Sequence, residues 1–549
     1  MRPKPFPFIA RCLLLSLFIL SMAALLLPIL LLLPLHSSSS SSSPSSLLLR
    51  ACNATRFPSL CVSTLPPSPP TPMDLILSAI SVSSNNLDTA QSKVRSLPSS
   101  DPSHSAAVRD CISHLSLSSI RLSQASSALT RKPACSRAFA GAALLYQYDC
   151  WSALKYVNTS HQISSTMSFL SDLTSLTSNA LALISAFYLS GTDVSLWSPP
   201  QTERNGRYED GSSSPTESPI SLSSSGGIPR TLKPSITVCK SSQCDYQTVQ
   251  AAVSAAPNTS ADRFVIHIAE GIYEELVRIP FEKTNLVFIG DGMGKTVITN
   301  SLSVGKKTTC VTTYDTATVG VDGSGFMAAN LTFQNTAGVD AHQAVAFRSD
   351  SDLSILESVE FIGHQDTLYA RSLRQFYKNC RISGTIDFIF GNSASLFQDC
   401  LILIVPRLGS PEKGETNAVT AQGRTDPSQP TGFVFLGCTV NGTDDYTALY
   451  QKKPRSHRNY LGRPWKEYAR AVFIQCLLAE IVKPEGWLPW RGDFALATLF
   501  YGEFGSSGLG ANSSARVSWS TAIPAEHVGA YSVKNFIQGD EWIPSLNAH

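Results

Sequence analysis

The chain has 549 residues and a mass of 59.1 kDa. This is more than one hydrophobic core usually organises, so two or more domains are expected. Charged residues make up 15% and hydrophobic residues 43% of the chain, and this composition excludes wholesale disorder. The formal net charge is only +2 and no block of Lys and Arg occurs. We therefore expect no binding to nucleic acid.

The N-terminus has the pattern of an export signal. Residues 13–35 are uncharged and mostly apolar, and they follow Arg2, Lys4 and Arg11. A run of this length would also span a bilayer of about 30 Å, so an uncleaved membrane anchor is the alternative to a cleaved signal peptide. We assign residues 1–43, which end in a serine tract, to this signal peptide or anchor, and we favour a cleaved signal peptide. Either alternative takes the chain out of the cytosol.

Two further features agree with secretion. Six N-glycosylation sequons occur, at Asn53, Asn158, Asn258, Asn330, Asn441 and Asn512. The chain has 13 cysteines, which could form stable disulfides in an oxidising compartment. Neither a pair of CxxC motifs nor an HExxH motif is present, so no metal site is expected.

Residues 45–196 are predicted to form an all-α helical bundle. Apolar residues recur there at steps of three and four, which places them on one face of a helix; the clearest stripe is Ile163, Met167, Leu170, Leu173, Leu176, Ala180, Ile184 and Phe187. Several such helices joined by short loops indicate a bundle. We predict the disulfides Cys52–Cys61 and Cys111–Cys150, with Cys135 left unpaired.

Residues 197–233 have the composition of a linker. They are rich in Ser, Pro and Gly and lack hydrophobic periodicity. Arg230-Thr-Leu-Lys is a candidate site for a processing protease, with an ordinary basic loop as the alternative interpretation.

Residues 234–549 are predicted to be all-β. Short β-branched and aromatic runs alternate there with Gly, Asn and Asp. Six similar phrases begin 28, 21, 20, 38 and 38 residues apart, at Asn330, Ser358, Asn379, Asp399, Gly437 and Gln475. These intervals favour the coils of a parallel β-helix over an ordinary sandwich. Cys380 and Cys400 would then occupy equivalent places on neighbouring coils, which predicts a disulfide between them.

Two aspartates in apolar, glycine-bounded segments are the candidate catalytic groups. Asp366 lies in Gly363-His-Gln-Asp-Thr-Leu-Tyr369, and Asp387 in Gly384-Thr-Ile-Asp-Phe-Ile-Phe-Gly391. Their separation of 21 residues equals one coil, so the side chains should lie close enough to drive their pKa values apart. A carboxylate beside a carboxylic acid provides a nucleophile and a proton donor for cleaving an ester or glycosidic bond.

Polar and aromatic residues nearby fit the same chemistry. Gln343 and Gln365 can donate N–H groups to an oxyanion, and Arg463 can hold a carboxylate ionised. Trp465 offers a flat apolar face to a sugar ring. Each of these residues alone also has an ordinary structural explanation.

Five segments together resemble the signature blocks of plant pectinesterases (pectin methylesterases). They are Gly271-Ile-Tyr-Glu-Glu, Gln343-Ala-Val-Ala, the two aspartate segments, and Leu461-Gly-Arg-Pro-Trp465. The resemblance covers about residues 234–543, and the preceding four-helix bundle resembles the pectinesterase-inhibitor domain of two-part family members.

The resemblance implies a right-handed parallel β-helix that demethylates homogalacturonan (pectin) in the cell wall to pectate and methanol. It implies that Asp387 is the nucleophile and that Asp366 is the proton donor and later the base. Gln343 and Gln365 would stabilise the transition state, and Arg463 would orient the nucleophile. Thr313 and Trp465 would bind substrate together with Gln343 and Arg463. No metal or organic cofactor is implied.

The resemblance is incomplete at three places. His364 stands where many members have Tyr, and it could tune the neighbouring acid or simply pack. Trp487 is either a further sugar platform or a core residue. The linker lacks the dibasic processing sequence often seen in the family. Whether the inhibitor-like half is removed therefore stays an open question. That half is expected to act on its own enzyme or on other pectinesterases.

Two other functions are compatible with a solenoid. One is pectate lyase or polygalacturonase chemistry, although a lyase would want an acidic calcium cluster, which the sequence lacks. The other is a non-catalytic, wall-bound pectinesterase inhibitor.

Overall fold

The computed structural model describes residues 44–98, 101–209, 226–305, 311–407 and 411–545. The predicted leader at 13–35 lies outside these residues. From Ser46 onward the described chain forms one compact unit.

The N-terminal half is helical. Its helices are α1 Ser46–Asn53, α2 Pro58–Thr64, α3 Pro72–Arg95, α4 Pro102–Ala128, α5 Pro133–Lys155 and α6 His161–Ser190. Three of the long helices begin at a proline, which lacks the N–H that a first turn leaves unpaired. Asp101 caps α4 by accepting from the backbone N–H groups of Ser103 and His104, which satisfies two further donors.

The bundle core confirms the predicted stripe, and the disulfides are those expected. Cys52–Cys61 and Cys111–Cys150 are bonded, and Cys135 is free. In the part of the chain that the structure describes, α6 is the helix with the length and hydropathy of a membrane span. Two-thirds of that apolar window is buried inside the protein, as expected for the core helix of a bundle.

The C-terminal half is built from short strands, as predicted. In chain order the described strands are β1 Ile236–Val238, β2 Phe264–Ile268, β3 Gly271–Glu274, β4 Val277–Ile279, β5 Leu286–Gly290, β6 Thr296–Asn300, β7 Val319–Val321, β8 Met327–Asn335, β9 Phe347–Ser349, β10 Ser354–Ile362, β11 Leu368–Ala370, β12 Arg374–Lys378, β13 Arg381–Gly384, β14 Ile386–Gly391, β15 Ala394–Gln398, β16 Leu401–Ile404, β17 Glu415–Gln422, β18 Gly432–Leu436, β19 Thr439–Gly442, β20 His457–Gly462, β21 Arg470–Ile474, β22 Leu477–Leu478, β23 Phe500–Phe504 and β24 Thr521–Ala522. Short helices α7 Val249–Ala255, α8 Asp444–Lys452 and α9 Val533–Ile537 accompany them.

These strands form a right-handed parallel β-helix. One sheet contains 17 strands and the other the seven strands β4, β7, β9, β11, β14, β17 and β20. Neighbouring strands pair in parallel, as in Leu368↔Ile389 between β11 and β14. Each coil therefore lies one strand spacing above the previous coil, and the solenoid prediction is confirmed.

The six repeated phrases begin at the corners of the coils. The backbone at the first residue of each phrase has a positive φ, between 51° and 64°. Five of these residues are not glycine, and Asn and Asp accept this left-handed conformation more readily than other side chains. The loops between these phrases can differ in length, because each coil returns to the same corner conformation before its next strand begins.

Aromatic side chains stack from coil to coil inside the solenoid. Phe435 lies between Phe397 and Phe473, with ring centroids 4.6 and 4.4 Å apart. All three side chains are fully buried. This column is part of the continuous core of the β-helix.

The predicted Cys380–Cys400 disulfide is wrong, because both residues are buried free thiols. They do lie on neighbouring coils, since the N–H of Leu401 donates to Cys380 O. In-register parallel strands hold equivalent side chains about 4.8 Å apart, however, whereas the Cβ atoms of a disulfide are about 3.8 Å apart. Cys438 and Cys476 continue the same column as free thiols, and Cys239 instead bonds to Cys244.

The described parts of the predicted linker pack on the solenoid. Glu203 is buried, and its Oε1 lies 3.0 Å from Nε of Arg470. The ring of Tyr208 stacks on His527 at 4.1 Å. Ile228 is buried in the outer apolar cluster of the β-helix. The predicted cut point at Arg230 is exposed.

The bundle contacts the solenoid through a buried polar network. Arg371 donates to Asp149 of α5 at 2.8 Å and to both carboxylate oxygens of Asp350 at 3.0 and 3.1 Å. The hydroxyl of Tyr146 in α5 donates to Asp350 and contacts Ser372. Because Arg371 joins carboxylates from both halves, the two halves share one network.

Candidate active site

Asp366 and Asp387 lie side by side on neighbouring coils. Asp387 is in β14, and Asp366 lies two residues before β11. The register Leu368↔Ile389 places the two aspartates opposite each other, so their predicted spacing of one coil is confirmed. Both have positive φ, 64° at Asp366 and 53° at Asp387. Strained backbone of this kind is common where a side chain is aimed at a functional site.

Arg463 fixes the side chain of Asp387. Its Nε and Nη2 donate to the two carboxylate oxygens at 2.7 and 2.6 Å. The guanidinium carbon also lies 4.3 Å from the ring centroid of Trp490. A bidentate pair with a stacked guanidinium sets the direction of the carboxylate and favours its charged form.

Burial raises the pKa of both carboxyl groups, and Arg463 acts differently on the two. Burial and the charge of Asp387 raise the pKa of Asp366 well above its usual value. Burial also raises the pKa of Asp387, but the hydrogen bonds and charge of Arg463 act in the opposite direction. Arg463 therefore favours the ionised form of Asp387, whereas nothing comparable offsets the burial of Asp366.

An aromatic wall borders the carboxyl groups. Tyr369 stacks on Phe390 with centroids 4.2 Å apart, and Trp465 meets Phe390 edge-to-face at 5.8 Å. Trp465 is half-buried, so part of its surface is open. A partly exposed indole on this wall is suited to stacking on a sugar ring.

Gln343 and Gln365 lie on successive coils next to the aspartates. The N–H of Ala344 donates to Gln365 O at 3.2 Å, and the N–H of Asp366 donates to Ile386 O at 3.2 Å. Both glutamines are half-buried. Within the described ranges neither side-chain amide has a hydrogen-bond partner in the protein, which leaves these N–H groups available to a ligand.

Three other predicted positions have different surroundings. Thr313 lies in the loop before β7, where its carbonyl accepts from Thr316 and the neighbouring Thr312 donates to Asp110 of α4. Trp487 is buried and stacks on Tyr501 at 4.2 Å, which makes it a core residue. His364 is half-buried, and burial lowers its pKa.

The sequence interpretation missed two residues at the site. Trp490 stacks on Arg463, although nothing in its local sequence distinguishes it from a core tryptophan. Lys466 has its ammonium 4.7 Å from the Trp465 ring and 4.6 Å from the ring of Tyr148 in α5. Its position directly after Trp465 was a usable signal.

This fold and site define a class of protein, the hydrolases that work with paired carboxyl groups on a parallel β-helix. The family model for pectinesterases matches residues 235–540, and the chain belongs to the pectinesterase family. A second family model, plant invertase/pectin methylesterase inhibitor, matches residues 46–183. The chain thus joins a pectin methylesterase domain to an inhibitor-like domain.

Individual relatives agree with this assignment. "Probable pectinesterase/pectinesterase inhibitor 64" of Arabidopsis thaliana is 52% identical over 512 residues, covering 90% of this chain and 83% of that protein. "Pectinesterase" of Daucus carota is 44% identical over 316 residues, 57% of this chain and 96% of that protein. The solved structure "Pectin methylesterase from Carrot" is similar with a TM-score of 0.55 and 43% identity, covering 59% of this chain and 98% of that chain. The predicted family, fold and esterase activity are confirmed.

Proposed function

We propose that Asp387 attacks the C6 carbonyl of methyl-esterified galacturonate in homogalacturonan. The observation that supports this proposal is the bidentate hold of Arg463 on Asp387, at 2.7 and 2.6 Å, directly beside Asp366, whose pKa is raised by burial and by the charge of Asp387. A fixed carboxylate next to a carboxylic acid provides both partners that ester cleavage needs.

The reaction proceeds in two balanced steps. An oxygen of Asp387 bonds to C6, the bond from C6 to the methoxy oxygen breaks, and Asp366 gives its proton to the departing methanol. Asp366, now a carboxylate, takes a proton from water as that water attacks C6. The bond from C6 to Asp387 breaks, which releases a free uronate and restores both side chains.

The remaining residues assist the reacting groups. Gln343 and Gln365 donate their free amide N–H groups to the oxyanion that forms at C6, and neutral donors do so without adding a charge. Trp465 stacks on a sugar ring of the polymer, and Thr313 provides a further polar contact.

Methanol release from highly esterified pectin tests the catalytic assignment. We expect Asp387→Ala and Asp387→Asn to lose nearly all turnover. The matched control is Asp399→Asn, because Asp399 has the same φ of 53° but lies exposed at a coil corner. Retained turnover in Asp387→Asn would overturn the assignment, and new reducing or unsaturated ends in the polymer would favour a glycosidase or a lyase.

We also propose that the bundle restricts access to this site. α5 places Tyr148 against Lys466 at 3.2 Å, and Lys466 in turn lies over Trp465, the proposed sugar platform. Comparing the full-length chain with the chain cut in the linker by a protease tests this at equal concentration. Equal turnover would indicate that the bundle aids folding or export instead.

We propose secretion to the cell wall, where pectin is found, with N-glycosylation at the sequons during export. Five of the six asparagines are exposed and Asn441 is half-buried, so the acceptors are accessible. A mobility shift after treatment with N-glycosidase tests the modification, and localisation of a C-terminal fluorescent fusion tests secretion and distinguishes it from anchoring through residues 13–35.

A further inference from the structure

Two buried arginines of the β-helix half lie together beside the linker. Arg424 follows β17 and Arg470 opens β21, and their exposed fractions are 1% and 5%. The backbone N–H groups of both residues donate to the side-chain Oε1 of Gln422, at 3.0 and 2.8 Å. A single amide oxygen therefore fixes the two residues next to each other. Nε2 of Gln422 is buried without a protein partner in the part of the chain that the structure describes, which leaves a further donor there.

One carboxylate serves both arginines, and it belongs to the linker. Oε1 of Glu203 lies 3.0 Å from Nε of Arg470, and Oε2 lies 3.9 Å from Nη1 of Arg424. The hydroxyl of Tyr531 donates to the same Oε1 at 3.4 Å. Within the described ranges no other carboxylate forms an ion pair with either guanidinium.

The charge of the two arginines is only partly compensated. Burial and the positive charge of Arg470 lower the pKa of Arg424 to about 9, and the negative charge of Glu203 opposes this shift. Glu209, the next acidic residue of the linker, is held by Arg137 of α5 at 2.6 and 2.7 Å. Removing Glu203 would leave two buried cations without their counter-charge, which is strongly unfavourable.

The linker presents Glu203 from outside the solenoid. The neighbouring Arg204 anchors this turn by donating to the carbonyl groups of Trp519 and Leu496, at 3.2 and 3.4 Å. A cavity of about 40 Å³, lined in part by Glu203 and Arg470, adjoins the ion pair and leaves room beside the carboxylate. The described lining of this cavity includes none of the proposed catalytic residues.

We propose that Arg424 and Arg470 form a carboxylate-binding site of the β-helix half, distinct from the catalytic pair. In the full-length chain Glu203 of the linker occupies this site as an intramolecular ligand. When Glu203 is withdrawn, the two guanidinium groups bind a small free carboxylate anion in its place, through charge-assisted hydrogen bonds. A cut at Arg230 leaves Glu203 on the N-terminal fragment, so departure of that fragment opens the site in the processed enzyme.

Chemical rescue of Glu203→Ala by acetate tests the proposal in the full-length chain. The substitution removes the Cγ methylene and the carboxyl group, and acetate has the size and charge of the missing part. We expect Glu203→Ala to lower Tm by about 3–5 °C, because buried cations lose their counter-charge. Acetate at about ten times its Kd should then raise the Tm of the variant by about 1–2 °C. The wild type should not respond, because Glu203 already fills the site.

Three controls separate binding of a carboxylate from general effects of the additive. Acetamide has the same shape without the charge and should give no rise, and sodium chloride at the same ionic strength should give a smaller one. Glu203→Gln loses the same charge but leaves no room for acetate, so its Tm should fall and stay low. Glu526→Ala, at an exposed position, should keep the wild-type Tm.

Equal shifts with acetate, acetamide and sodium chloride would overturn the proposal, and so would an unchanged Tm in Glu203→Ala. Rescue that persists in Glu203→Ala/Arg470→Gln would also overturn it, because that variant lacks one of the two guanidinium groups. Should Glu203→Ala fail to fold alone, its refolding yield replaces Tm. A higher yield in acetate than in acetamide supports the site, and equal yields refute it.

Discussion

At the scale of single residues, the two aspartates of the site differ in the hydrogen bonds and charges that surround their carboxyl groups. Arg463 gives Asp387 two hydrogen bonds and a positive charge, while Asp366 has a negative neighbour and deep burial. The same amino acid can therefore act as a nucleophile at one position and as a proton donor at the other.

The pH dependence of the reaction should reflect the different surroundings of Asp366 and Asp387. If Asp387 attacks as a carboxylate and Asp366 donates a proton, as proposed, activity falls as the pH drops through the pKa of Asp387 and as it rises through the pKa of Asp366. Arg463→Gln removes the group that lowers the pKa of Asp387. We expect the acid limb of the profile of kcat/KM to move to higher pH, with a loss of about a hundredfold at the optimum.

The control for this measurement is Arg381→Gln, which breaks the ion pair of the exposed Arg381 with the buried Glu360, at 3.2 Å and outside the site. Its pH profile should match the wild type. An acid limb that stays in place in Arg463→Gln would show that Asp387 is not the group that titrates there.

At the scale of elements, the coils are held by stacked columns of side chains. Phe435 is buried between two other phenylalanines, so Phe435→Ala should lower the free energy of unfolding by about 3–5 kcal/mol. Phe494→Ala removes a ring that is 41% exposed and should cost much less. Urea denaturation monitored by circular dichroism compares the two, and equal losses would contradict the packing described.

The column of cysteines makes a chemical prediction. Alkylation in denaturant without a reductant should label the peptides containing Cys380, Cys400, Cys438 and Cys476. The peptide with Cys239 and Cys244 should react only after reduction. Recovery of a Cys380–Cys400 cross-linked peptide by mass spectrometry would contradict the free thiols.

The elements also show what the sequence could predict. The repeated phrases revealed the solenoid because each begins at a corner with a positive φ, which restricts the residue type. The same register led to the wrong disulfide prediction. It correctly placed Cys380 and Cys400 on neighbouring coils, but it did not give the distance between their Cβ atoms. The site aspartates followed from the coil length. Trp490 did not, because its contact with Arg463 spans 27 residues of irregular chain.

The packing of the linker was also beyond the sequence. Composition correctly described residues 197–233 as poor in periodic structure, but Glu203 and Glu209 find their partners in Arg470 and Arg137, far away along the chain. Isolated charges in a polar segment give no indication of such distant partners.

At the scale of the whole molecule, the two halves are joined through Arg371. Asp149→Ala leaves Arg371 with Asp350 and with the ring of Tyr146 but removes its ion pair with α5. We expect faster methanol release by the full-length chain, because the bundle undocks more often. Asp172→Ala, at an exposed position of α6, is the matched control. Unchanged turnover in Asp149→Ala would mean that this contact does not restrict access.

The packed linker has a consequence for activation. A protease that cuts at the exposed Arg230 leaves Ile228 seated in the outer cluster and Glu203 paired with Arg470. Severing one peptide bond makes the association of the halves concentration-dependent, yet every noncovalent contact between them survives. If the bundle restricts access to the site, as proposed, the delay between the cut and full activity is set by the dissociation rate of the complex, and dilution should slow rebinding of the released half without changing the rate of its release.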